Sequence, residues 1–84
     1  MTEFMASIHI DYDCGAFKKK HLMPLHNSKA NTASKAKSKA DEIVAGMIDG
    51  YKNSKWTVTI TENGFIGEKD GNTNTYRDIV VKEI

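Results

Sequence analysis

Proline and cysteine are almost absent from this 84-residue chain, each occurring once, as Pro24 and Cys14. A lone cysteine excludes an intramolecular disulfide, and with it the stapled frameworks of small secreted domains. No run approaches 18 consecutive apolar residues, so no membrane-spanning helix is expected. Residues 1–13 have neither a basic lead nor the apolar centre of a signal peptide. The cytoplasm is therefore the expected location. Residues 1–5 are expected to be unstructured or non-native, with Met5 as an alternative start.

Acidic residues are missing from one long stretch. From Cys14 to Ala40 there is no Asp or Glu, but there are Lys18, Lys19, Lys20, Lys29, Lys35, Lys37 and Lys39, together with His21 and His26. The formal charges of residues 1–13, 14–40 and 41–84 are −3, +7 and −3, which give the net +1 of the whole. A near-neutral chain with one concentrated basic segment is dipolar. Such a segment attracts phosphate backbones, acidic protein faces or anionic lipid, or serves only as a solvated surface.

What is present points to one compact domain spanning residues 1–84. Hydrophobic residues make up 39% and charged residues 27%, which excludes wholesale disorder. A chain of this length buries a thin core, leaving little room for a deep water-excluding pocket. Binding rather than catalysis is the expectation, and no enzyme activity is predicted.

In residues 7–13, Ile8, Ile10 and Tyr12 alternate with His9, Asp11 and Asp13, the period of a half-buried strand. Residues 14–31 fit neither the strand nor the helix period and read as a long basic loop. Pro24 holds Met23 extended, and the stretch around residues 17–23 is a candidate second strand. A helix begins at Asn31 or Thr32, either of which can cap it. Ala36, Ala40, Ile43, Val44, Met47 and Tyr51 then share one face at spacings of three and four. Gly50, Lys52, Asn53 and Lys55 suit its end.

Residues 56–84 read as a three-stranded meander. Trp56, Val58 and Ile60 alternate with threonines, Asn63-Gly64 signals a hairpin, and Asp70-Gly71 starts a second turn. In the last strand Ile79 and Val81 are predicted on one face, with Tyr76, Val80 and Ile84 on the other. The predicted fold is α+β: one helix packed on an antiparallel sheet, in the order β-α-β-β-β. Ile43, Val44, Met47, Val58 and Ile60 are predicted to be buried together.

Several constellations carry possible chemistry. His9, Asp11 and Asp13 point the same way from one strand, a geometry that reaches a metal only with ligands from elsewhere. The bland alternative, an exposed polar sheet face, is preferred, and no metal is expected. His21 and His26 among lysines are candidate general bases of a nuclease, or simply polar residues of a loop. Cys14 near Lys18 is read as an incidental thiol. Gly64, Gly67 and Gly71 lack the context of a phosphate loop and read as hairpin glycines. Trp56 and Tyr76 offer rings for base stacking, although Trp56 is expected under the helix. No zinc-ligand spacing, dinucleotide fingerprint or lipidation motif is present, so no cofactor is expected.

The lysines of the first helical turns stand out. They oppose the positive end of the helix dipole at a few tenths of a kcal/mol each, while strengthening a natural anion site. The leading expectation is a small non-enzymatic module that engages a nucleic acid or a nucleic-acid-handling complex. Lys18, Lys19, Lys20, Lys29, Lys35, Lys37 and Lys39 supply its contacts. The alternative is an inhibitor or adaptor of the phage or mobile-element kind. It docks on an acidic protein, through a sheet edge, or through a surface including Glu62, Glu68, Asp70 and Asp78. Homodimerisation through an edge strand is a further option. A metal-dependent nuclease is the third class.

Overall fold

The computed structural model describes residues 2–84. Strand β1 spans Phe4–Asp13, β2 Lys18–Ala30, helix α1 Ala33–Asn53, β3 Thr57–Thr61, β4 Gly64–Lys69 and β5 Asn72–Glu83. The five strands form one antiparallel sheet in the order β2-β1-β5-β4-β3. The helix packs on one face and leaves the other open. The fold is α+β, as read from the sequence, but with one more strand than the predicted order contained. Phe4 and Met5 lie within β1, so of the segment expected to be unstructured they at least are ordered. Met1 lies outside the described residues.

The additional strand corrects the reading of residues 14–31 as a loop. Met23 and Leu25 of β2 lie opposite Ile8 and Ala6 and turn towards the helix. Two features mask the period of two. The register slips by three residues between the pairs Ala6–Leu25 and Phe4–Ala30, and the slip is plugged by Ser28, the one fully buried polar residue among the described residues. The Ala6 N–H donates to Ser28 Oγ at 2.9 Å, and the Ser28 hydroxyl donates to the Leu25 carbonyl. A side chain thus replaces the ladder bond that the slip removes. Pro24 is tolerated because β2 is an edge strand with a neighbour on one side only.

Thr32 caps α1, its Oγ1 accepting the Lys35 N–H at 3.1 Å. Ala36 and Ala40 are fully buried. Ile43, Val44, Met47, Ile48 and Tyr51 continue the stripe, half-buried against a core of Ala6, Ile8, Ile10, Leu25, Phe65 and Tyr76. The helix runs through Gly46 and Gly50 and ends only at Asn53, followed by Lys55 at φ 69°. It is not apolar enough to cross a membrane, nor is any other helix among the described residues.

The meander forms as read, with three differences in detail. The loop of the first hairpin is Glu62-Asn63, one position before the Asn-Gly pair. Neither loop residue has a positive φ. Gly64 is required for space, because a Cβ there would sit 1.9 Å from the Tyr76 carbonyl oxygen. The second turn, Asp70-Gly71, has both residues at positive φ, 50° and 80°, as a type I′ turn demands. In β5 the register with β1 shifts between Ser7–Val80 and His9–Arg77. Asp78, at φ 51°, is the extra residue of this bulge. The bulge reverses the parity of the strand, so Tyr76 shares the core side with Ile79 and Val81 instead of opposing them.

The predicted core is corrected at Ile60, which is 62% exposed. Its alternation with Val58 holds, but β3 is the outermost strand and nothing among the described residues covers that position. Val58, Ile43, Val44 and Met47 do pack against the core.

Candidate polyanion-binding flank

The acid-free segment becomes one flank of the molecule. It supplies the whole of β2, the outermost strand, and the first two turns of α1, which packs on β2 more than on any other strand. Residues 18–22, 26, 27 and 29 are exposed, as are Lys35, Lys37 and Lys39. The opposite flank mixes Glu62, Glu68 and Asp70 with Lys55 and Lys69 and holds no comparable excess of one sign.

Within the basic flank the lysines fall into separate groups. Lys18, Lys19 and Lys20 open β2 opposite Asp13, Tyr12 and Asp11. Lys29 lies near the far end of the strand. Eleven residues of extended chain separate Lys18 from Lys29, roughly 35 Å, in a molecule 46 Å long. Lys29 is joined there by the helix start, where the Lys39 Nζ donates to the Lys29 carbonyl at 2.9 Å. Lys37 takes a different direction. It pairs with Asp41 at 2.6 Å and lines a hollow of about 370 Å³ with Glu62, Asn63 and Asp78. Lys18 lies 3.8 Å from Asp13, a loose and exposed pair. No carboxylate lies within ion-pair distance of Lys19, Lys20, Lys29 or Lys35 among the described residues.

The first turn of α1 holds no acidic residue. Thr32 satisfies two of its amides, through Oγ1 to Lys35 and through its carbonyl to Ala36. Among the described residues the N–H groups of Ala33 and Ser34 have no hydrogen-bond partner, in the same turns of the helix as Lys35 and Lys39.

The other candidate chemistry disperses. His9, Asp11 and Asp13 do share the open face of β1, but each has its own partner. His9 Nδ1 lies 2.9 Å from the Asp78 carbonyl oxygen, so that nitrogen carries the proton and donates. Asp11 accepts from Arg77 Nε at 3.0 Å, and Asp13 accepts the Gly15 N–H at 2.9 Å. No group of three or more His, Cys, Asp or Glu side chains among the described residues is placed to hold a metal. His21 and His26 stand five residues apart on an extended strand and do not converge. Cys14 is exposed, its Sγ 3.5 Å from the Phe17 carbonyl. Neither ring proposed for stacking is free. Tyr76 is buried, stacked on Phe65 with centroids 4.5 Å apart, and Trp56 packs edge-on against Tyr51 at 5.0 Å.

One cluster escaped the sequence reading. Arg77 bridges Asp11 and Asp78 on the open face, at 3.0 and 2.9 Å, and lies directly opposite His9. The hydrogen bond to Asp11, followed by that to Asp78, raises the guanidinium pKa further above its ordinary value. Asp11 Oδ1 is buried without a partner. The only prior signal was the strand period that puts His9 and Asp11 on one face. Arg77 enters through the bulge at Asp78, which no local pattern announces.

Comparison with protein-family models, with curated proteins and with solved structures finds no match.

Proposed function

We propose that this protein is a non-enzymatic binding module that holds a nucleic-acid backbone along the flank formed by β2 and the start of α1. The observation that carries the reading is the coincidence of the acid-free segment with the outermost strand. All of its lysines except Lys37 therefore lie along one flank of the molecule. The contacts are Lys18, Lys19 and Lys20 at one end, and Lys29, Lys35 and Lys39 with the free amides of the helix start at the other. Two clusters roughly 35 Å apart suit an extended polyanion rather than a single phosphate group. The two rings considered for stacking, Trp56 and Tyr76, pack into the core, and the one exposed ring beside the lysines is Phe17, so contact falls mainly to the backbone. Little sequence preference is expected, because lysine–phosphate contacts carry no base information.

The test is a salt titration of binding to generic DNA and RNA. About four to six contacts give a log–log slope of roughly −3 to −5. Changing Lys35 and Lys39 together to Gln lowers affinity and flattens the slope by about two, one per lost contact. Lys37→Gln leaves both unchanged, because Lys37 is paired with Asp41 on another side of the helix. Removing the two lysines also relieves the helix dipole, so thermal stability holds or rises slightly. A parent protein that binds neither DNA nor RNA at low salt refutes the reading.

A further inference from the structure

The two edges of the sheet are protected very differently. β2 carries Pro24, three successive lysines and a three-residue slip, all of which discourage another strand from pairing. β3 has none of these. Its five residues, Thr57-Val58-Thr59-Ile60-Thr61, are uncharged and all β-branched, the composition best suited to strand pairing. The side chain of Ile60 stands exposed on it. We propose that β3 pairs antiparallel with β3 of a second copy, across a twofold axis at Thr59, giving a closed dimer with a continuous ten-stranded sheet.

The register follows from geometry. A two-residue loop closes on the pair Thr61–Gly64, and such a closing pair exchanges hydrogen bonds. By the alternation of an antiparallel ladder, the peptide groups of Thr61, Thr59 and Thr57 turn towards β4, and those of Val58 and Ile60 face the free edge. With the axis at Thr59, Val58 lies opposite Ile60 of the partner, twice over, so outward-facing peptide groups meet outward-facing peptide groups. All five residues are then paired.

The side chains agree with this register. On the helix side, exposed Ile60 comes to lie against the partner's Val58. It also lies diagonal to the partner's Trp56, within reach of a long side chain. Trp56 lines an apolar hollow of about 350 Å³ with Met47, Gly50, Tyr51 and Ser54. On the open side, Thr57 faces the partner's Thr61, and the two Thr59 side chains meet at the axis. At each end the register sets Trp56 opposite the partner's Glu62, with Lys55 the next residue along, so each end of the seam carries one acidic and one basic flanking residue. A second copy satisfies this pattern without any further requirement. Growth stops at two, because the outer edges of the dimer are the guarded β2 strands.

A five-residue edge is a small interface, so association is expected in the range of ~10 µM to ~1 mM. Sedimentation equilibrium of the full chain over that range is expected to show a shift from the 9.4 kDa monomer towards twice that mass. Thr59→Lys and Thr59→Glu test the axis, since each places two like charges about 5 Å apart at a non-hydrogen-bonded pair. Thr59 is exposed, so both variants are expected to melt like the parent, as followed by circular dichroism. Each alone is expected to associate at least tenfold more weakly, and an equimolar mixture of the two to regain the parent's association. A parent that stays monomeric throughout overturns the proposal. So does a dimer indifferent to both substitutions, or a mixture that fails to recover.

Discussion

The two ends of α1 meet the sheet by opposite means. The N-terminal half presents alanines: Ala36 and Ala40 are fully buried, and the helix backbone follows β2 after only Asn31 and Thr32. The C-terminal half presents Tyr51, whose ring lies edge-on to Trp56, Phe65 and Tyr76 at centroid distances of 5.0, 5.6 and 5.7 Å. The tyrosine hydroxyls meet at 2.7 Å, and Asn74 Nδ2 donates to Tyr51 Oη at 3.0 Å. One end is held by close approach of backbone to sheet, the other by large rings with a polar tip. The first is sensitive to added volume and the second to its loss. The same helix thus separates two ways of spending a thin core.

The largest expected effect is at the aromatic end. Phe65 is fully buried between Tyr51 and Tyr76, and Phe65→Ala is expected to destabilise by about 3–5 kcal/mol. Denaturant unfolding measures it, and a loss below ~1 kcal/mol would mean that the rings re-form a core without Phe65. Next comes the alanine end, where Ala40→Leu is expected to cost about 1–3 kcal/mol through overpacking. Were this variant instead stabilised, the closeness of helix and sheet there would be an unfilled gap and the contrast between the two ends would vanish.

The smallest effect tests the polar tip. Tyr51→Phe keeps the ring and removes a hydroxyl that serves two partners, an expected loss of about 0.5–1.5 kcal/mol. It also carries a signature in pH. Burial first, and then the hydrogen bond to Tyr51, raises the Tyr76 pKa well above the ordinary phenol range. The folded state therefore holds a proton that the unfolded chain releases near pH 10. Stability from this source is complete below about pH 10 and is lost as pH rises further. Tyr51→Phe is expected to soften that alkaline decline. A parent whose stability is flat well above pH 10 would contradict the assignment.

Much of this architecture was legible from the chain. β1 announced itself through Ile8, Ile10 and Tyr12, and α1 through the stripe from Ala36 to Tyr51. The meander was marked by its turn residues. β2 was hidden because its signal is interrupted where a side chain stands in for backbone. Met23, Leu25 and Ser28 face inward at spacings of two and then three, a mixture that neither the strand nor the helix period describes. Tyr76 was assigned to the wrong face because a single residue at Asp78 inverts the parity of everything beyond it. Ile60 was read as buried because alternation reports which face a residue takes and says nothing about whether anything lies over it. At the candidate site the lysines were plain in the sequence, but their division was not. Only the strand conformation of residues 18–30 puts Lys18 and Lys29 at opposite ends of the flank, whereas the pairing of Lys37 with Asp41 follows from their spacing of four on the helix.

The placement of β1 and β5 side by side in the middle of the sheet has a kinetic meaning. Their pairs run from Asp13–Thr73 to Phe4–Glu83, so every contact in that ladder joins residues sixty or more positions apart. The β1–β2 hairpin and the β3–β4–β5 meander are local by comparison and can form separately. Joining them closes the longest loop in the molecule, the kind of step that slows folding. Until it happens Ala6, Ile8 and Ile10 sit on a strand with one edge unpaired. A nascent chain emerging from the ribosome exposes that hydrophobic edge throughout the synthesis of the helix and both hairpins. The most protected strand of the finished molecule is thus its most vulnerable one during synthesis.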